Sequence, residues 1–174
     1  MMKAINQALL PKGYLAAGLA AGIKKSGKSD LAIFYSQVPA KAAALFTTNR
    51  IIAAPLVVCK KYLKLNKLFR AIVVNSGNAN CFTGNAGIVD AEKMCASTAK
   101  CLTVKPSEVL VSSTGVINKR LPMGKINNSI PALVRSLSDD GIHQAKAAIM
   151  TTDTFAKELT VKLNLGGKTV TICG

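Results

Sequence analysis

One short stretch of the sequence, "SSTGVI" (112–117), combines residue types that could stabilise negative charge. In it, Thr114 and Gly115 end a β-rich run and offer a hydroxyl group and a backbone N–H that nothing bulky shields. Two adjacent donors of this kind can form an oxyanion hole, which stabilises the charge that develops on a carbonyl oxygen. The same residues could instead form an ordinary turn with the glycine at a positive φ angle, so both interpretations stay open at this point.

Two further stretches, "NSGNANCFTGNAG" (75–87) and "AIMTTDTFAK" (148–157), are rich in polar residues. The first contains asparagines and glycines that tolerate left-handed backbone conformations, so it fits a tight strand-to-helix connection. It equally fits a polar ligand loop at the carboxyl end of a strand. In the second, Thr151, two more hydroxyls and Asp153 could bind a zwitterionic amino acid, or could satisfy backbone groups in a turn.

Several classes of catalytic and metal site are disfavoured by what the sequence lacks. It has no phosphate-loop pattern and no GxSxG elbow. Its five cysteines form no CxxC pair, and His143 is the single histidine, so neither a zinc site nor a disulfide framework is predicted. Free thiols fit a reducing cytoplasm. His143 is predicted to lie within a helix, far from any nucleophile, as a surface or structural residue, and the sequence therefore predicts only part of an active site.

The formal net charge of +15 raises the possibility of nucleic-acid binding, because lysines neutralise phosphates. Against it, aromatic residues make up only 5% of the chain, there is no tryptophan, and the lysines are scattered. A solvated basic face, or a face that meets an acidic partner, explains the charge equally well. No apolar run is long enough for a membrane span, and Pro11, Lys12 and three glycines interrupt the N-terminal segment that might suggest a signal peptide.

The order of strands and helices predicted from the sequence indicates a single α/β domain over residues 1–174, in which helices cover mixed sheets. These elements must position the three polar stretches. Strands are predicted at 31–36, 43–49, 55–60, 71–76 and 108–113, and helices at 88–102, about 122–137 with an interruption at Pro131, and about 140–150 capped by Asp139 or Asp140. Two alternating runs joined by Gly166-Gly167 predict a final hairpin. Because the chain stops just after that hairpin, we expect the partner half of the fold to lie on another chain or beyond the last residue.

Taken together and in this order, the stretches resemble the ornithine acetyltransferase family of arginine biosynthesis, also called glutamate N-acetyltransferases. The resemblance covers nearly the whole chain and is carried by "GYLAAGLAAGIKKSGKSDLAIFYS", "ALFTTNRIIAAPL", "VVNSGNANCFTGNAGIVDAEKM", "SSTGVINKRLP" and "AIMTTDTFAK". It implies a layered α-β-β-α sandwich that resembles N-terminal nucleophile folds but differs in connectivity. It also implies that this chain is the alpha chain, the N-terminal half of a precursor that cuts itself. The cut falls before a threonine, which becomes the N-terminus of the beta chain and the nucleophile.

By this resemblance, Thr114 and Gly115 form the oxyanion hole, Thr151 binds substrate, and Asn75–Asn80 lie in or near the site. The implied reaction is ping-pong: the beta-chain threonine takes the acetyl group of N-acetylornithine and passes it to glutamate. Some members also accept acetyl-CoA. The resemblance implies no metal, no organic cofactor, a cytoplasmic location and an assembly of two or more alpha–beta pairs, such as a heterotetramer.

Two positions depart from the family pattern, and two other functions stay open. Asn118 stands where the family usually has glycine, and Ala156 where proline is frequent. The first alternative is a related self-cleaving aminopeptidase with an N-terminal nucleophile. The second is a basic nucleic-acid-binding domain, which only the net charge favours.

Overall fold

The described parts of the protein form two β-sheets and four α-helices. The computed structural model describes the backbone of residues 2–5 and all atoms of residues 8–174. In chain order the elements are β1 (Met2–Ile5), β2 (Tyr14–Leu19), β3 (Leu31–Ala40), α1 (Ala54–Leu65), β4 (Phe69–Asn78), α2 (Gly84–Leu102), a 3₁₀ turn (Pro106–Glu108), β5 (Val109–Val116), α3 (Met123–Arg135), α4 (Ile142–Ile149), β6 (Thr160–Leu165) and β7 (Lys168–Cys173).

The larger sheet has the strand order β2-β3-β4-β5. Its first two pairs are antiparallel, whereas β4 and β5 are parallel, so the sheet is mixed as predicted. Parallel strands end at the same edge of a sheet. The polar stretches 75–87 and 112–117, which begin within the carboxyl ends of β4 and β5, are thereby brought together, and in this pair Gly77 lies opposite Gly115.

Helices α1, α2 and α3 cover one face of the larger sheet and form the main core with it. The alternate residues of each strand that point to this face are apolar, as half-buried strands require. Burying one such large aliphatic side chain stabilises the fold by about 1.5–3 kcal/mol. The largest fully buried apolar side chains are those of Leu31, Ile33, Val58, Val73, Met94, Val109, Ile126, Ile130 and Leu133.

Helix α4 lies on the opposite face of this sheet, unusually close to the strands. A side chain on Gly18 of β2 would place its Cβ 2.2 Å from the carbonyl oxygen of Gln144, so only glycine permits this approach. Ser76 of β4 donates a hydrogen bond to the carbonyl oxygen of Ala148 near the end of the helix. The fully buried residues between the helix and the strands are alanines: Ala16, Ala32, Ala145 and Ala148. The close packing therefore fixes the position of the end of α4 and, with it, the position of Thr151.

The smaller sheet has the order β1-β6-β7, and β6 and β7 form the predicted hairpin. Gly166 and Gly167, with φ angles of +58° and +78°, form its two-residue turn, because such a turn needs positive φ at both positions. A largely apolar cavity of about 590 Å³ separates the two sheets and is lined by Phe34 and Ile72 from one and Ile172 from the other. The layer of helices α1, α2 and α3, the larger sheet and the smaller sheet are layers expected of the predicted sandwich.

Most predicted elements are confirmed. The structure contains the predicted strands at 31–36, 71–76 and 108–113, the helix at 88–102 and the final hairpin, each with bounds that differ by a few residues. The N-terminal segment that we did not interpret as a signal peptide contains β2, a strand of the larger sheet. No helix in residues 8–174 combines the length and the hydropathy needed to cross a membrane.

The predicted strand at 55–60 is wrong, because this segment lies in α1. Its buried positions, Ala54, Pro55, Val58, Cys59 and Tyr62, recur at helical spacing. A six-residue window shows only a continuous apolar run and cannot reveal that period. Pro55 lies in the first turn. Backbone N–H groups there have no intrahelical acceptor, so the proline costs the helix no hydrogen bond.

Three smaller predictions are also corrected. Residues 43–49 form no strand, and Leu45 is fully exposed there. Helix α3 runs through Pro131 without interruption, because its buried face holds the helix together on both sides of the proline. Helix α4 begins after Gly141, and neither Asp139 nor Asp140 caps it. A Cβ at Gly141 would lie 1.7 Å from the carbonyl oxygen of Ala16, so the close approach to β2 selects glycine at this position.

Candidate functional site

Thr114 and Gly115 lie at the carboxyl end of β5, beside the end of β4. Gly115 has a φ angle of +130°, and a Cβ at this position would lie 2.4 Å from the carbonyl carbon of Gly77 and 2.6 Å from the nitrogen of Asn78. No other residue fits, because both the backbone conformation and the space exclude a side chain. Gly115 is exposed and Thr114 is partly exposed, so both predicted donors lie at an accessible surface.

Three asparagines at the end of β4 and just after it make structural hydrogen bonds. Asn75, Asn78 and Asn80 are at most 2% exposed. The amide of Asn75 donates to the carbonyl oxygen of Asn78, and that of Asn78 donates to the carbonyl oxygen of Arg120 in the loop after β5. The amide of Asn80 donates to the carbonyl oxygen of Gly87 at the start of α2. These donated hydrogen bonds hold the backbone around Gly115, as buried amide groups usually do. The side-chain oxygen of Asn75, also buried, has no hydrogen-bond partner among the described residues.

The loop after β5 is fixed from two sides. Asn118 donates its backbone N–H to the carbonyl oxygen of Cys81 over 2.9 Å, and its φ angle is +57°. Asparagine is one of the residues that adopt this left-handed conformation more readily than most, so Asn118 has a backbone conformation that glycine also favours. Arg120 then forms a bidentate ion pair with the buried carboxylate of Asp90 in α2, at 2.8 and 3.0 Å. The hydrogen bond to Asp90 raises the pKa of Arg120.

A second loop, between β2 and β3, lies against the same edge of the sheet. The buried carboxylate of Asp30 accepts hydrogen bonds from the backbone N–H groups of Ala21, Ile23 and Lys24, at 2.6, 2.6 and 2.8 Å. Three N–H donors compensate for the burial of its charge. Sequence reasoning missed this loop, although "GIKKSGKSD" lies within one of the stretches that carry the family resemblance.

The predicted substrate-binding residue, Thr151, begins an exposed segment, 151–157, directly after the end of α4. Within this segment, Lys157 donates to the carboxylate of Asp153 over 2.9 Å. This hydrogen bond, together with one from the backbone N–H of Thr151, lowers the pKa of Asp153. The carboxylate of Asp153 thus stabilises the local turn, whereas the side chain of Thr151 remains accessible.

The single histidine and the two buried cysteines lie outside this region or are unreactive. His143 is a partly exposed residue of α4, 3.6 Å from the carboxylate of Glu158, in agreement with the predicted surface role. Burial raises the pKa of the Cys59 and Cys95 thiols, which keeps them protonated. Within the part of the chain that the structure describes, no group of three or more histidine, cysteine or acidic side chains could hold a metal ion.

The fold and this edge of the sheet define an α/β sandwich protein with exposed hydrogen-bond donors at the ends of two parallel strands. The sequence model of the ArgJ family matches residues 15–174, and the chain belongs to that family. The family resemblance of the sequence is therefore confirmed.

Curated relatives carry the same family name. The chain is 50% identical over 165 residues to the arginine biosynthesis bifunctional protein ArgJ of Caldanaerobacter subterraneus subsp. tengcongensis, covering 95% of this chain and 40% of that protein. It is 44% identical over 164 residues to the protein of the same name from Listeria monocytogenes serovar 1/2a, covering 94% of this chain and 40% of that protein. The chain thus spans about 40% of the length of these relatives.

Two crystal structures have the same fold. ArgJ from Bacillus halodurans superposes with a TM-score of 0.90 at 35% identity, covering 99% of this chain and 92% of the other. Ornithine acetyltransferase from Mycobacterium tuberculosis, in complex with ornithine, gives the same TM-score and identity, covering 100% of this chain and 94% of the other. The α/β class is confirmed, and the chain corresponds to the alpha-chain part of the family.

Proposed function

We propose that the complete protein is an acetyltransferase of arginine biosynthesis that moves the acetyl group of N-acetylornithine to glutamate. The observation that carries the proposal is that Thr114 and Gly115 are accessible at the end of β5 in a member of the ArgJ family, where only glycine fits at position 115 beside Gly77. The M. tuberculosis relative is an ornithine acetyltransferase bound to ornithine, which supports the same substrate class.

In the proposed reaction, the N-terminal threonine of a beta chain attacks the acetyl carbonyl carbon, and its own α-amine accepts the hydroxyl proton. The Thr114 hydroxyl and the Gly115 N–H donate to the oxygen that becomes negatively charged. Loss of one such donor typically slows a reaction by about 100- to 1000-fold. Ornithine leaves with the proton on its amine, and the acetyl group remains as an ester of the threonine. The amine of glutamate then attacks this ester, the bond to the threonine oxygen breaks, and the threonine hydroxyl takes up the proton that the amine loses, which gives N-acetylglutamate and the free enzyme. Thr151 holds the amino-acid substrate.

The other parts of the proposal follow from the family. The beta chain comes from the same precursor, and the assembly contains two or more alpha–beta pairs. Acetyl-CoA serves as an additional acetyl donor, which the word bifunctional in the relatives' name supports. The reaction needs neither a metal ion nor an organic cofactor, and the enzyme is cytoplasmic.

The test uses the product of the complete gene. We expect its intact mass to resolve into two chains, the second beginning with threonine, and we expect it to form N-acetylglutamate from N-acetylornithine and glutamate. A single uncut polypeptide without this activity would contradict the proposal. Hydrolysis of amino-acyl amides in place of acetyl transfer would favour the aminopeptidase. Tight binding of double-stranded or single-stranded nucleic acid, with an affinity that falls steeply as the salt concentration rises, would favour a nucleic-acid-binding protein.

A further inference from the structure

Lys24 joins two segments that are far apart in the sequence. Its ammonium group donates hydrogen bonds to the carbonyl oxygen of Ser29 over 2.8 Å and to that of Met150 over 2.7 Å. Met150 directly follows α4 and directly precedes Thr151. The second bond therefore holds the backbone at the point where the segment 151–157 leaves the helix.

The backbone of Lys24 is itself fixed to the larger sheet. Its N–H donates to the buried carboxylate of Asp30 over 2.8 Å. Asp30 donates its own N–H to the carbonyl oxygen of Leu19 in β2 and accepts the N–H of Ser76 in β4 through its carbonyl oxygen, each over 2.9 Å. The side chain of Lys24 therefore extends from a point that two strands hold in place.

The aliphatic part of the same side chain packs on the predicted oxyanion-hole strands. A Cβ at Gly77 would lie 2.9 Å from Cγ of Lys24. Gly77 in turn is the residue that a Cβ at Gly115 would meet. One side chain thus contacts both the strand partner of Gly115 and the backbone that leads into Thr151.

The ammonium group of Lys24 is partly buried where it donates to the carbonyl oxygens of Ser29 and Met150. Burial lowers the pKa of Lys24, and the carboxylate of Asp30 opposes that shift.

We propose that Lys24 is a positioning residue, which holds Thr151 at a fixed distance from Thr114 and Gly115. The proposal rests on the proposed function, since it assigns Lys24 to the same acetyl-transfer site. It requires no contact between Lys24 and the reacting atoms.

The first test compares Lys24→Met with Lys25→Met in the complete, processed protein. Lys25 is the adjacent exposed lysine, so its variant controls for the loss of charge. A displacement of about 1 Å at a site can cost about 100-fold in rate. We therefore expect kcat/KM for N-acetylornithine to fall about 100-fold in Lys24→Met, mainly through KM, and Lys25→Met to match the wild type. Lys24→Arg, which keeps donors for both carbonyl groups, should recover most of the loss.

The second test does not depend on activity. Amide hydrogen exchange at residues 150–153 should accelerate in Lys24→Met, whereas exchange in β4 and β5 should stay unchanged. If Lys24→Met does not fold, Lys24→Gln replaces it, because this side chain keeps the aliphatic contact with Gly77 but is shorter. Unchanged exchange at 150–153 in the folded variant overturns the proposal, as does a fall in melting temperature without any change in KM. If the wild type transfers no acetyl group, the proposed function fails and the exchange measurement still decides whether Lys24 holds this segment.

Discussion

The two parts of the candidate site differ in how they are held. The strand ends around Thr114 and Gly115 are surrounded by buried asparagine side chains that bind backbone groups of neighbouring loops. The segment 151–157 is exposed, Lys24 holds the residue that precedes it, and the Asp153–Lys157 pair lies within it. The first part is built into the core of the fold, whereas the second is attached to its surface.

Because of this difference, we expect substitutions in the two parts to affect protein stability and substrate binding differently. A buried hydrogen-bonding group left without its partner costs about 1–3 kcal/mol, whereas an exposed ion pair contributes little. Substitutions at the strand ends should therefore alter both the folded state and the chemistry. Substitutions in 151–157 should alter substrate binding and leave the free energy of unfolding nearly unchanged.

The largest effect is expected from Gly115→Ala. The new Cβ would lie 2.4 Å from the backbone of Gly77 at a φ angle that alanine rarely adopts, so the two strands must separate. We expect acetyl transfer to fall about 1000-fold or more, the upper end of what one lost oxyanion donor costs. The rate of N-acetylglutamate formation measures it.

Gly124→Ala is the matched control for this variant. Gly124 lies nearby in the first turn of α3, and nothing lies within 4 Å of a Cβ there. Alanine favours a helix over glycine by about 1 kcal/mol. This variant should retain full activity and be at least as stable as the wild type. An active Gly115→Ala enzyme would show that the close approach of the strands does not matter to the site.

A smaller effect, on stability, is expected from Asn78→Ala. The side chain of Asn78 donates to the carbonyl oxygen of Arg120 and accepts the N–H of Asn80, and both bonds are buried or partly buried. Their loss should reduce the free energy of unfolding by about 2–4 kcal/mol, measured by urea denaturation. Asn128→Ala, on the exposed side of α3, should change it by less than about 0.5 kcal/mol. Equal effects of the two substitutions would contradict a structural role for Asn78.

The smallest effect is expected from Lys157→Met, in the exposed segment. Lys157 lowers the pKa of Asp153, so the stabilisation from this pair is present above the unfolded-state pKa and is lost as the pH falls through the folded-state pKa. Removing Lys157 should raise the pKa of Asp153 towards its ordinary value, as followed by NMR titration. The melting temperature at neutral pH should hardly change. A large fall in stability would mean that the segment is more firmly held than its exposure suggests.

The sequence was sufficient for elements whose pattern is local and insufficient for contacts between distant segments. The strand at 71–76 and the hairpin around Gly166-Gly167 follow from apolar runs and turn residues within a few positions. The bond between Lys24 and Met150 joins residues 126 positions apart, and that between Asn78 and Arg120 joins residues 42 apart. Neither hydrogen bond produces a periodic pattern in the sequence. The local pattern left a turn or a site open at Thr114, Gly115 and Thr151. Their assignment as site residues came from the family resemblance, which did not separate the roles of the three asparagines.

The most direct measurement compares the single-turnover rate of acetyl transfer in the wild type, Thr114→Ala and Thr114→Ser. Thr114 is partly exposed at the end of β5, so its hydroxyl can be removed with little loss of packing. The proposed oxyanion hole predicts a fall of about 100-fold or more in Thr114→Ala, recovery in Thr114→Ser, and a similar free energy of unfolding for all three. An unchanged rate in Thr114→Ala would contradict the assignment of Thr114 and Gly115 to the stabilisation of the oxyanion.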